Sequence, residues 1–229
     1  MTLQQSDETT QLGRPSRRRN PEDTRRRILD AGERAFALRG FAGARLRDIA
    51  QEAGVHHALV HHYYGDKLGL FGEVLERGLG RIELAGIETL GNGRSSEGNV
   101  RAFIAVLYDF CANNKSLLRI IENAFRDREA ASYELAERVI GKRARPLINL
   151  VRERIELGQK LGDVRSDVPS GPLVRLTFTA IVYRFTLAEP FAEALSLGEP
   201  GDEQGSDEER EHVIRYVLST LRPQPAAAR

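Results

Sequence analysis

The sequence predicts an all-α fold in two helical units, on three observations. Apolar residues recur at i, i+3 and i+4 in segments from Thr24 to Leu221, and no stretch shows the two-residue alternation of a half-buried strand. Near residue 54 a glycine splits one short helical pattern into two. At 229 residues and 41% hydrophobic, the chain is long enough for a small N-terminal unit and a larger core-forming one.

Residues Met1 to Asn20 lack apolar periodicity and carry Arg14, Arg17, Arg18 and Arg19 beside Pro15 and Pro21. They read as a flexible basic arm suited to phosphates or the minor groove, or more plainly as a solubilising tail. From Thr24 to Gly40, Ile28, Ala31, Ala35 and Leu38 recur at helical spacing, Gly40 stands where a helix C-cap is expected, and Phe41 turns back into a small core.

Arg47 to Lys67 reads RDIAQEAGVHHALVHHYYGDK. Ile49, Ala50 and Ala53 line one face of a short helix, Gly54 breaks it, and Val55 restarts an apolar pattern that continues through Val60 and Tyr64. Two short helices joined by a glycine-containing turn are the plan that places a recognition helix in a DNA major groove.

The whole of TRRRILDAGERAFALRGFAGARLRDIAQEAGVHHALVHHYYGDKLGLF resembles the DNA-binding domain of the TetR family of bacterial transcriptional regulators. The Gly-Phe after the first helix, the DIA run, the AGV turn, the Tyr63-Tyr64 pair and Lys67 are all in register. The chain departs from the family at Ala44, Arg45 and His56, where Thr or Ser is usual, so side-chain N-caps are expected to be missing from both motif helices, at about 1 kcal/mol each. Leu59 stands where the family often has a hydroxyl facing a phosphate; here it loses that contact or meets a base edge.

Arg47, His57, Ala58, His61 and His62 are the candidates for base contact. Arg47 can pair bidentately with guanine, and Ala58 can touch a thymine methyl. These positions match those that commonly reach base edges in the family, and Tyr63 and Lys67 match its phosphate contacts. Lys67 also starts a helix, where the dipole favours an anion. His56, His57, His61 and His62 form two i, i+4 pairs that can share a metal, but with no third ligand evident no metal site is assigned. A milder alternative is a pH response, since imidazoles gain charge near pH ~6.5 and DNA affinity would rise in mild acid.

Asp66 is placed to cap the next helix, whose stripe Leu68, Phe71, Val74, Leu75, Leu79 and Ile82 reaches into the second unit; Gly91 to Gly98 reads as a loop. Val100, Phe103, Ile104, Leu107, Phe110 and Cys111 mark one helix, and Leu117, Leu118, Ile121, Ala124 and Phe125 the next. A long segment from Ala130 to Leu161 contains Pro146, which is expected to kink or split it, and Gly162 to Pro169 is a turn. Ser170 to Ala188 is apolar nearly all the way round, so a second buried face implies a partner. With the helix from Asp207 to Leu221 it would form a dimer interface through Leu173, Val174, Ile181, Phe185, Val213, Ile214, Val217 and Leu221, the arrangement the resemblance also implies.

Apolar walls with a few polar groups make the usual small-molecule cavity, and Phe103, Leu107, Tyr108, Cys111, Phe125, Thr177, Phe178 and Tyr183 are the candidate lining; ordinary core is the plainer reading of each. The boundaries expected are a basic arm at 1–20, a helix-turn-helix domain at 21–72, a ligand-binding and dimerisation domain at 73–222 and a disordered tail at 223–229.

Net charge is only +1, but from Gly13 to Gly72 12 Lys and Arg face 7 Asp and Glu, while Glu199 to Glu211 is strongly acidic. No run reaches the roughly 18 apolar residues of a membrane span, and the polar N-terminus has no apolar signal core, so a cytoplasmic protein is expected. One cysteine excludes an internal disulfide framework. No HExxH or P-loop occurs, and GNG at Gly91 to Gly93 follows no strand, so no enzyme and no cofactor are expected. The reading is a homodimeric, ligand-released repressor of a palindromic double-stranded operator, with activation or a metal- or pH-responsive regulator as alternatives, and an effector the sequence does not name.

Overall fold

The computed structural model of the chain describes residues 20–90, 95–126, 128–186, 194–195 and 207–223. Residues 1–19 of the expected arm at 1–20 and 224–229 of the expected tail at 223–229 lie outside the described residues, as do 187–188 at the end of the expected apolar helix. Among the described residues there are nine α-helices and no strand: α1 Pro21–Gly43, α2 Leu46–Glu52, α3 His57–Tyr64, α4 Lys67–Leu90, α5 Ser96–Asn113, α6 Lys115–Arg126, α7 Ala131–Leu161, α8 Ser170–Thr186 and α9 Asp207–Leu221. No described helix is long and apolar enough to cross a membrane.

α1 begins earlier than the apolar pattern indicates, because Asn20 caps it through Oδ1, which accepts the Glu22 N–H at 3.0 Å, and Pro21 fits the first turn. Gly40 takes φ 65° and ψ 178° inside the span, so the regular helix stops there and a last turn swings Phe41 against Phe36 and Phe71. α5 also starts inside its expected loop: the Ser95 hydroxyl accepts the Gly98 N–H at 3.1 Å. α7 runs unbroken through Pro146 rather than splitting; the proline is exposed, where water can meet the carbonyl it leaves unbonded. Gly162 ends α7 in the left-handed region at φ 84°, and the Asp163 N–H returns to the Gly158 carbonyl at 2.9 Å.

Two apolar cores form. The first joins α1 to α3 with the start of α4, and it does not stop at residue 72: Val74, Leu75 and Leu79 belong to it, as do Leu117, Ile120 and Ala124 of α6 and Ala136 and Val139 of α7. The second joins α5, the later part of α7, α8 and α9, and takes Ile82 from α4. α4 is therefore rooted in both. Ion pairs fasten it on each side, Arg77 to Asp30 at 2.6 Å and Glu33 at 2.7 Å on α1, and Glu76 to Lys142 at 3.1 Å and Arg143 at 2.5 Å on α7.

The residues expected to meet a second subunit lie inside this chain's own second core. Leu173, Val174, Ile181, Ile214, Val217 and Leu221 are buried, and Phe185 and Val213 pack half-buried against them. The side chains of α8 and α9 that face outward are others: Leu176 is 65% exposed and Tyr216 70%, with Phe178 and Tyr183 also exposed.

Candidate nucleic-acid interface

α2 and α3 are joined by a turn that the backbone closes on itself. The Ala53 N–H reaches Ile49 O at 2.9 Å, Gly54 N–H reaches Gln51 O at 3.1 Å, and Val55 N–H reaches Ala50 O at 3.0 Å. Gly54 holds φ 63°, a region side chains disfavour. From α1, Arg27 donates through Nη1 to the Ala53 carbonyl at 2.9 Å and braces the turn; nothing in the apolar spacing singled out that arginine. Ile49, Ala50, Ala53 and Val60 fill the inner side.

α2 lacks a side-chain cap, as expected at Arg45, but α3 has one. His56 Nδ1 accepts the Ala58 N–H at 3.3 Å, so a ring-nitrogen lone pair takes the place of the hydroxyl expected there. α4 is capped as expected, with Asp66 Oδ1 accepting the Gly69 N–H at 2.7 Å.

With Val60 inward, α3 turns His57, Ala58, His61 and His62 to solvent together, and Leu59 and Tyr63 lie half-buried at its sides. The His57 and His61 rings meet edge to face, 4.6 Å between centroids. The Arg25 guanidinium lies 5.1 Å from the centre of the Tyr63 ring, and the Tyr64 hydroxyl donates to the Arg25 carbonyl at 3.1 Å. Burial raises the Tyr64 pKa above the ordinary phenol value, which keeps that donor protonated. Lys67 sends its ammonium to the carbonyls of Ala42 at 3.3 Å and Ala44 at 3.2 Å, over the Phe41 ring at 4.5 Å. Two of its three donors therefore hold the link between α1 and α2.

The charge on this side is sorted by pairing. Asp48 and Glu52 of α2 are met by Arg39 at 3.2 Å and Arg34 at 2.5 Å, both from α1. Arg45 and Arg47 are exposed and have no ion-pair partner among the described residues, so their charge is left beside α3. Arg45 is thus exposed and charged like Arg47, although the sequence pointed to it only as a missing cap.

The candidate ligand-lining residues differ in burial. Phe103, Leu107, Tyr108 and Cys111 are fully buried in the second core, while Thr177 is half-buried and Phe178 and Tyr183 are exposed. Phe125 packs elsewhere, edge to face with Tyr133 of α7 at 5.3 Å. Burial pushes the Cys111 thiol up to about 12, so no thiolate forms near neutrality. A groove of about 430 Å³ opens between α4 and α7, lined by residues that include Leu68, Gly72, Leu135 and Arg138. Among the described residues, no three His, Cys, Asp or Glu side chains gather as metal ligands would.

The sequence profile described as bacterial regulatory proteins, tetR family, matches residues 28–74. An HTH-type transcriptional repressor from Streptomyces coelicolor is 36% identical over 103 residues, 45% of this chain and 50% of its own length, so the match spans about half of that relative. The HTH-type transcriptional activator FasR of Mycolicibacterium smegmatis is 28% identical over 104 residues, 45% of this chain and 48% of its own. The ketosteroid transcriptional regulator KstR2 of Mycobacterium tuberculosis shares the fold, with a TM-score of 0.69 over 87% of this chain and 95% of that one at 16% identity.

Proposed function

The chain belongs through its N-terminal domain to the TetR family of bacterial transcriptional regulators, which bind DNA and are not enzymes, and from that premise we propose a homodimeric repressor released from a palindromic operator by a small molecule. The observation that carries the proposal is the outward face of α3, four polar or small side chains on one side of a braced helix, together with the exposed Arg45 and Arg47, which have no ion-pair partner among the described residues. Two such helices enter successive major grooves roughly 34–36 Å apart. Arg47 reads guanine, Ala58 touches a thymine methyl, His57, His61 and His62 meet base edges, and Leu59 flanks them. Tyr63 and the third donor of Lys67 take phosphates.

The dimer forms through the outward apolar side chains of α8 and α9, Leu176, Phe178, Tyr183 and Tyr216, in place of the residues those helices bury internally. Because α4 is set in both cores, an effector that favours a different packing of the C-terminal body moves the recognition helices, and DNA opposes effector binding by the same factor. Activation is the second reading, favoured by the likeness to FasR; a reporter placed behind the operator separates the two by the sign of its response.

Selection of bound duplexes from a random library, with sedimentation of the protein alone, tests the proposal. A palindromic consensus bound by a dimer is the expected result; absence of sequence preference, or a monomer at binding concentrations, overturns it. In that consensus Arg47→Ala is expected to weaken operator binding by about 1–3 kcal/mol while leaving random DNA nearly unaffected. An equal loss on both would make Arg47 a phosphate contact. Lys67→Ala is expected to lower the salt slope of binding by about one per subunit, and an unchanged slope would leave Lys67 as a brace for the α1–α2 link only.

A further inference from the structure

Resting on the reading of α3 as the recognition helix, we infer that His61 is a hydrogen-bond acceptor that selects an amino-bearing base, adenine or cytosine, at one position of each half-site. His61 Nδ1 lies 2.7 Å from the Gly65 carbonyl oxygen. A carbonyl carries no proton, so this contact is a hydrogen bond only when Nδ1 holds the hydrogen. In the neutral ring Nε2 then carries a lone pair and no proton.

Gly65 holds the ring in that state from a fixed place. It ends α3 at φ 74°, and its own N–H returns to the His61 carbonyl at 2.9 Å, so the same two residues are tied by backbone and by side chain. The His57 ring closes another side of the imidazole at 4.6 Å. His61 is exposed, and among the described residues no hydrogen-bond partner other than Gly65 is found for it. His56 is set the opposite way: its Nδ1 accepts the Ala58 N–H, which puts the proton on Nε2 and presents a donor. Two imidazoles, one at the N-cap and one in the last turn of the eight-residue α3, thus hold opposite tautomers, each fixed by a backbone group of α3 or its cap.

The major groove offers many acceptors and two kinds of donor. Guanine O6 and N7, adenine N7 and thymine O4 all accept, and only adenine N6 and cytosine N4 donate. An acceptor at Nε2 bonds the two amino groups and opposes lone pair to lone pair at guanine or thymine. One such bond against an unmatched acceptor corresponds to a preference of roughly 3- to 10-fold.

The experiment is selection from a random duplex library at about pH 8, where an ordinary imidazole is neutral, with the parent protein, His61→Ala and His61→Arg. The parent is expected to select adenine or cytosine at one position per half-site, and His61→Ala to relax that position by roughly 3- to 10-fold without altering the others. His61→Arg retains an N–H for Gly65 and presents donors alone, so the same position is expected to turn to guanine. Guanine or thymine in the parent at the position His61→Ala relaxes would overturn the inference, as would identical consensus sequences from parent and His61→Ala. An equal loss at every site would show that His61 acts through the α3 terminus alone, and it too overturns the inference. A parent that selects a palindrome which His61→Ala leaves untouched loses only the role of His61; a parent that selects nothing loses the proposed regulator and this role together.

Discussion

Phe71→Ala is expected to destabilise the protein by about 3–5 kcal/mol, the range for deleting a buried aromatic ring. Phe71 is 1% exposed and meets Phe36 edge to face at 5.1 Å and Phe41 at 5.2 Å. The loss combines three contributions: the transfer of the ring out of the core, the cavity left behind, and two aromatic contacts worth about 0.5–1.5 kcal/mol each. Relaxation into the gap is restricted, because Phe36 and Phe41 sit on either side of the Gly40 break and the Lys67 ammonium covers Phe41 from outside. The same ring joins α4 to α1, so operator affinity should fall with stability even though Phe71 is buried away from the surface. Urea unfolding checks the size: a lower midpoint at unchanged slope is expected, and a loss below about 1 kcal/mol would mean that the three-ring cluster is not what holds α4 to the head.

The head was the more legible part of the sequence because each of its signals has one physical meaning. Of the stripe Ile28, Ala31, Ala35 and Leu38, the first three lie in the core while Leu38 is left exposed; Asp66 precedes an apolar run and caps it; Gly54 lies between two short patterns and takes positive φ. His56 was missed as a cap because the usual caps are oxygens, and whether a ring nitrogen accepts depends on a tautomer that composition does not reveal. The sorting of charge was also invisible: Arg34 and Arg39 count as much as Arg47 in the sequence, and only the fold sets them against Glu52 and Asp48.

α8 shows a different limit. A helix that is apolar on several faces declares that two surfaces are covered without declaring which one is internal. Leu173, Val174 and Ile181 proved to be the chain's own core, and Leu176 and Phe178 were left outside. Phe125 shows the same ambiguity: it is apolar and at helical spacing on α6, yet that helix sends Leu117, Ile120 and Ala124 to the first core and leaves Phe125 against α7.

Gly69→Ala is expected to cost a net ~2–4 kcal/mol, although glycine to alanine inside a helix ordinarily gains about 1 kcal/mol. Gly69 lies in the first turn of α4, directly under the elbow that ends α3. A methyl placed on it falls well inside 3.0 Å of the Tyr64 carbonyl oxygen, which is backbone and has no rotamer to escape into. That carbonyl already accepts the Asp66 N–H at 2.9 Å, and Gly69 itself donates to the Asp66 cap, so relief requires the elbow to open and both bonds to lengthen. Opening it tilts α3 against α4, so operator binding should be lost under conditions where the variant is still folded. Gly80→Ala on the same helix provides the control: nothing lies within 4 Å of the added methyl, and it should be neutral or stabilising by up to about 1 kcal/mol. Equal stability and equal operator affinity for Gly69→Ala and the parent would show that the elbow bends freely, and the rigid seating of α3 on α4, with the proposed route from the C-terminal body to DNA, would have to be given up.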